Sequence, residues 1–230
     1  MSLWMGGPAC MEIFCAKRSN RLTASHGNGS FWNLVRMISF RMYWLFDTKI
    51  NYTMNYPLVY TQNPDAQEAI NSDIYTYIAD FRAAYERGDF IDGSFSYEVK
   101  YEDDQVVSLV ICEYKWTGGA HGMPNYIGLN YDKATGEKLP LSYFVRLTPA
   151  DRVQVLGFTV YNARDEVIPD KDLSQYRWDN AISTNYYMLG NGDLALIYQP
   201  YDLAPYAAGV THIKLTAKWI DYFNRRNHAE

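Results

Sequence analysis

The sequence predicts an α+β fold: two helix-plus-antiparallel-hairpin modules packed as one compact unit. Three observations predict it. A well-marked amphipathic helix is written between residues 64 and 87. Strand-like runs are joined by tight turns at Asp103-Asp104 and at Asn191-Gly192. Helix and hairpins then recur in the second half of the chain, which gives helix plus antiparallel sheet twice over.

The elements follow in order. Ile50 to Tyr60 reads as a strand that ends near Pro57. Asn63, Pro64 and Asp65 then supply an N-cap, a first-turn proline and an early acid. Ile70, Ile74, Ile78, Phe81 and Tyr85 follow at helical spacing, and Gly88 stops the helix. Phe95, Tyr97, Val99 and Tyr101 alternate with polar residues, so this strand has one wet face. Val106 to Trp116 returns as a strand apolar on both faces, and Asn125 to Tyr131 makes another. Asp132 to Gly136 closes it as a turn, with Gly136 supplying a positive φ.

Thr148, Pro149 and Asp151 mark a second helix, expected to run to about Arg164. A short helical piece is expected between Leu173 and Ile182. Asn185–Leu189 and Asp193–Gln199 flank Asn191-Gly192, a strong hairpin signal. Thr211, Ile213, Leu215, Ala217 and Trp219 alternate with polar residues as a last strand. The first helix should lie on the sheet of 95–102 and 106–116. The second, 149–164, should cover the sheet of 185–199 and 210–219.

Composition narrows the function. A 48% hydrophobic chain of 230 residues can bury a core, and 21 tyrosines suit both cross-strand pairs and binding surfaces. The net charge of −5 argues against nucleic acid as partner. Charge is uneven: Lys17, Arg18, Arg21, Arg36 and Arg41 stand against Glu12 alone in residues 1–46, which is +4 and leaves −9 for the rest. Such an acidic body attracts a basic protein. Cys112 sits in an apolar strand pattern and reads as inert core, while Cys10 and Cys15 lie in the N-terminal segment. No Cys pair has zinc or redox spacing, and no metal or cofactor is expected. Arg36 and Arg41 interrupt the apolar stretch from Phe31 to Phe46, so no transmembrane span is read there. The first 16 residues lack the basic start of a signal peptide. Residues 1–48 read as an atypical, poorly ordered segment. Residues 49–122 and 123–221 read as the two modules, and 222–230 as a tail.

Two loops stand out. One runs from Tyr114 through Thr117-Gly118-Gly119-Ala120-His121-Gly122. The other runs from Gln199 through Pro200-Tyr201-Asp202 and Pro205-Tyr206 to Gly209. Prolines pre-order a loop and tyrosines supply contact area, so Pro200, Tyr201, Asp202, Pro205 and Tyr206 are the candidate ligand contacts. They can also pack the loop on its own sheet. His121 reads first as bonded to its own loop, then as a binding contact, then as a base or metal ligand. The remaining histidines, His26, His212 and His228, are not at ligand spacing from it. Gly118, Gly119, Gly122, Gly136 and Gly209 are structural loop residues, with Gly118 and Gly119 supplying backbone shapes closed to other residues. Asp202 or Glu113 would be the acid in an enzymatic alternative, a wall-glycan hydrolase or deacetylase-associated module using His121. No known catalytic motif supports that alternative.

At these two loops the chain resembles the extracytoplasmic region of RsiV-type anti-sigma factors, over roughly residues 49–221. The first half, ending in Thr117–Gly122, is also similar to the N-terminal module of PdaC-type peptidoglycan deacetylases. The second half carries the match from Tyr131–Leu139 to Ala204-Pro205-Tyr206-Ala207-Ala208-Gly209. The resemblance implies an extracytoplasmic, envelope-facing binding domain without enzymatic activity. It further implies a protein or peptidoglycan ligand, lysozyme in the RsiV-type proteins, whose basic charge suits the acidic body. Residues 1–46 depart from the pattern, since neither a sigma-binding segment nor a membrane span is read there.

Overall fold

The computed structural model describes residues 50–228. The expectations attached to residues 1–49, including the readings of Cys10, Cys15 and His26, lie outside the described residues, as do Ala229 and Glu230.

Helix α1 (Pro64–Glu86) begins as its sequence prescribes: the Asn63 side chain accepts the Asp65 N–H at 3.1 Å. It buries Ala66, Ile70, Ile74, Ile78, Phe81 and Ala84. Gly88, at φ +80°, ends it and donates to the Tyr85 carbonyl at 2.9 Å. Ahead of it, β1 spans only Tyr52–Met54 and pairs in parallel with β2 (Asp92–Glu102), Tyr52 opposite Gly93. This corrects both the strand to Tyr60 and the wholly antiparallel sheet, because α1 is a crossover between two parallel strands. The strand stops because the next residues dock on α1 instead. Pro57 and Val59 are buried there, and the Asn71 amide brackets Val59, accepting its N–H at 2.9 Å and donating to its carbonyl at 2.8 Å.

β2, β3 (Val106–Trp116) and β4 (Met123–Asp132) complete an antiparallel run, giving the sheet order β1-β2-β3-β4. The Asp103 carboxylate shapes the β2–β3 turn by accepting the N–H groups of Gln105 and Val106, both at 2.8 Å. The sequence division at residue 122 falls between β3 and β4, which pair along their length. After β4 a single helical turn, α2 (Leu141–Phe144), leads to the second half.

That half builds a second sheet of order β5-β8-β7-β6, from β5 (Val160–Asn162), β6 (Tyr186–Gly190), β7 (Asp193–Tyr198) and β8 (Thr211–Leu215). Asn191 and Gly192 lie at φ +55° and +80°, the paired left-handed positions of a type I′ hairpin turn. The helix expected over 149–164 starts where predicted, with a capping box between Thr148 and Asp151. It ends far earlier. A 3-10 turn (Pro149–Asp151) runs into α3 (Arg152–Leu156), and Gly157 caps it. The β-prone Val160 and Tyr161 then pair with β8. The piece expected at 173–182 is a 3-10 turn over Gln175–Asp179. The last strand stops at Leu215, and 217–226, read as strand end and tail, is helix α4 (Ala217–Arg226). The Asp193 carboxylate accepts the Ala217 N–H at 2.8 Å, which turns the chain into α4.

The elements stack as helix, sheet, sheet, helices. Alternate residues of β3 and β4 face α1: Val107, Leu109, Ile111, Leu129 and Tyr131. The residues between them, Val110, Cys112 and Tyr126, meet Tyr187, Ala195 and Ile197 of the second sheet. The far face of that sheet, Leu194, Leu196, Ile213 and Leu215, packs on Val155, Leu156, Ile220 and Phe223. So the second sheet is covered jointly by α3 and α4 rather than by one long helix. Strand β6 crosses the first sheet strand by strand. Its Tyr186 carbonyl accepts Asn130 Nδ2 at 2.9 Å on β4, and its Met188 N–H donates to Ser108 Oγ at 2.9 Å on β3. Beyond them Gly190 lies against the Tyr101 ring of β2.

Candidate functional site

The hairpin β3–β4 carries the first loop, and the link from β7 to β8 carries the second. The two loops meet. The His121 imidazole stacks on the Tyr206 ring with centroids 3.9 Å apart and an interplanar angle of 21°. Tyr201 leans on Tyr206 at 5.5 Å, and its hydroxyl lies 3.4 Å from His121 Nε2. Tyr206 Oη donates to the Gly122 carbonyl at 2.8 Å. Three of the six predicted contact residues therefore form one aromatic face, one from the first loop and two from the second.

The face rests on groups that sequence reasoning passed over. Tyr114 Oη accepts the Gly122 N–H at 3.0 Å, and Trp116 Nε1 donates to the Gly119 carbonyl at 2.7 Å. Both side chains lie on β3, two residues apart, so they project to the same side. Gly122 is buried, and a Cβ there would meet the Tyr114 ring at 2.4 Å, so no side chain fits. Gly118 sits at φ +102°, where only glycine is unstrained. Gly119 is not among the positive-φ glycines. Gly209, at φ +70°, ends the second loop. Gly136 lies elsewhere, closing the β4 turn at φ +78° against Ala66 of α1.

Gln199, at the start of the second loop, ties that loop to β4. Its Oε1 accepts the Tyr126 N–H at 2.9 Å and its Nε2 donates to the Tyr126 carbonyl at 2.7 Å. One residue pair on the outer edge of β4 is thus closed by a side-chain amide. Asn185 closes the next, accepting the Gly128 N–H at 2.7 Å and donating to the Tyr126 carbonyl at 2.7 Å. Amides in these places satisfy an edge that would otherwise stay open to another strand.

The remaining predicted contacts have other placements. Pro200 is buried and takes no part in the surface, whereas Pro205 is exposed. Asp202 turns back to accept the Gln199 N–H at 2.7 Å. Burial raises the Asp202 carboxyl above its ordinary range, against the lowering effect of that hydrogen bond. Glu113 is buried and pairs with Lys115 at 3.0 Å. The polar contacts of His121 are the Gly122 carbonyl at 3.0 Å and the Tyr201 hydroxyl, so neither acid of the enzymatic alternative reaches it. A pocket of about 300 Å³ opens between Lys138, Pro140 and Thr184, and His121 does not line it. Among the described residues no group of three His, Cys, Asp or Glu side chains gathers as metal ligands.

Tyr201 has an unusual backbone. It is one of three non-glycine residues with positive φ among those described, at +79°, and its side chain is 52% exposed. Positive φ in a bulky residue is strained.

Comparison with known proteins places the two halves separately. Residues 47–124 match the family described as deacetylase PdaC, and residues 157–218 match DUF3298, a family of unknown function. No curated protein matches the chain. A DUF3298 family protein from Pseudomonas aeruginosa PAO1 is 22% identical with a TM-score of 0.49, over 69% of this chain and 79% of that one. A DUF3298 member from Bacteroides fragilis NCTC 9343 is 18% identical with a TM-score of 0.53, over 75% of this chain and 83% of that one, a likeness of fold. By these matches the chain is related to the PdaC and DUF3298 families, a first segment of the one followed by a second of the other, and nothing in them singles out the RsiV-type proteins.

Proposed function

We propose that this protein is a non-enzymatic recognition module of the bacterial envelope, facing outward, that binds a basic protein of lysozyme type through the face of His121, Tyr201 and Tyr206. The observation that carries the proposal is the meeting of two distant loops in one partly exposed aromatic face. Exposed tyrosines on a pre-ordered loop supply anchor contacts at low entropy cost. The acidic balance of the body supports a basic partner. The PdaC-type and DUF3298-type segments support an envelope setting. No described helix is long and apolar enough to cross a membrane.

Titration with lysozyme at low and at high salt tests this. Binding in the micromolar range or tighter, with association slowed by salt, is the expected result. Tyr201→Ala should weaken it about 30-fold, which corresponds to roughly 2 kcal/mol for an anchor residue. Absence of lysozyme binding at tens of micromolar in both conditions, with capture of soluble peptidoglycan fragments instead, would move the reading from protein to wall glycan.

A further inference from the structure

We propose that the exposed ring of Tyr201 receives a cationic side chain, arginine or lysine, from the partner. This rests on the recognition reading above and adds the chemistry of the contact.

Tyr201 holds a left-handed backbone, at φ +79°, in a loop where glycine would fit without strain. The strain brings an outward ring whose hydroxyl lies against His121 Nε2. That hydroxyl is on the rim, so the ring face stays available. Acidic residues adjoin the ring in sequence: Asp202 follows it, its carboxylate accepting the Gln199 N–H at 2.7 Å and its carbonyl accepting Asn180 Nδ2 at 2.7 Å, and the exposed Asp179 precedes that asparagine. A cation-over-ring pairing recurs within the chain: Lys138 on Tyr77 at 5.0 Å, Lys214 on Tyr161 at 4.3 Å and Arg226 on Tyr222 at 5.2 Å each place a cation over a tyrosine beside a carboxylate. Tyr201 has an exposed ring with acidic residues adjoining it in sequence, and among the described residues none of the cation-over-ring contacts falls on it. A cation over such a ring is attracted by its quadrupole, and the effect grows as water is displaced.

The experiment replaces Tyr201 with phenylalanine and then with phenylalanines carrying one, two and three ring fluorines. Fluorine withdraws the ring's negative face while making it more apolar. Lysozyme and an octa-arginine peptide are the probes. Affinity for lysozyme should fall with each fluorine, roughly three- to thirtyfold over the series. Lysozyme binding that stays flat, or tightens with fluorine, overturns the cation contact and leaves the recognition reading standing. Binding of neither probe at tens of micromolar overturns both. Tyr201→Gly separates function from folding: it should weaken binding about 30-fold, as Tyr201→Ala does, while the melting temperature holds or rises, because strain is released. A drop in melting temperature would mean that Tyr201 is held for packing, and would overturn the inference.

Discussion

Two residues show how local chemistry decides the molecule. Gly128 lies where β4 passes β6, and a Cβ built on it would stand 1.9 Å from the Tyr186 carbonyl oxygen. Backbone is on both sides, so nothing can yield. Gly128→Ala should cost about 3 kcal/mol, an overpacking effect, and lower the melting temperature by roughly 6–12 °C. His212 is buried beside Asp165 at 2.9 Å, with Tyr161 stacked on it. Burial dominates and depresses its pKa from 6.5 to about 4, against the attraction of Asp165 and with help from Lys214 and Lys100. Between those values the unfolded chain binds a proton that the folded chain excludes. Stability is therefore present above pH 6.5, falls on acidification, and has lost this contribution below about pH 4. Denaturant midpoints of His212→Gln should show a shallower acid slope than the parent across this window. Neither role shows in the sequence: His212 there is one polar residue in an alternating strand, and the close approach at Gly128 depends on a strand about 60 residues away.

At the scale of elements, the sequence was most legible where signals were local. Asn63, Pro64 and the isoleucine stripe wrote α1 to within a residue of its observed ends. Asn191-Gly192 wrote its hairpin. The misreadings share one cause. Val160–Asn162 and Ala217–Arg226 fit more than one pattern, and tertiary partners chose between them: Ile213 pairing for the first, the Asp193 carboxylate for the second. Helix α4 is anchored by a charge that the sequence marked only as the start of the second helix. Asp151 is fully buried, accepts the Thr148 N–H at 2.7 Å and Asn227 Nδ2 at 2.8 Å, and is paired with Arg226. Asp151→Ala removes the capping box of the 3-10 turn that leads into α3 and takes a buried acceptor from the Thr148 N–H and Asn227 Nδ2, while Arg226, 37% exposed, keeps Gln154 and Tyr222. We expect a loss of about 2 kcal/mol from the lost cap and the unpaired donors. Hydrogen exchange should show it first as faster exchange in α4.

Across the whole molecule, the two matched segments do not stand apart. Ser108, Asn130, Tyr186 and Met188 form one buried hydrogen-bond chain from the first sheet to the second. Residues 50–133 alone would expose Val110, Cys112 and Tyr126 and remove the β6 partners of Asn130 Nδ2 and Ser108 Oγ. That fragment should not give a dispersed amide spectrum, while residues 50–228 should unfold in one transition by both circular dichroism and tyrosine fluorescence. The candidate face is composite in the same way, with His121 from one segment and Tyr201 and Tyr206 from the other. Both loops were legible from their Gly, Pro and Tyr content. Their contact was not, because it joins residues far apart in sequence: Tyr206 stacks on His121 and bonds the Gly122 carbonyl, and Gln199 ties the second loop to β4 backbone 73 residues away. The central claim is that this joint face is where a partner binds. Amide chemical-shift mapping of the labelled protein against unlabelled lysozyme tests it most directly. The account predicts shifts concentrated in residues 117–122 and 199–209 together, and shifts confined to another surface, or to one of the two loops, would contradict it.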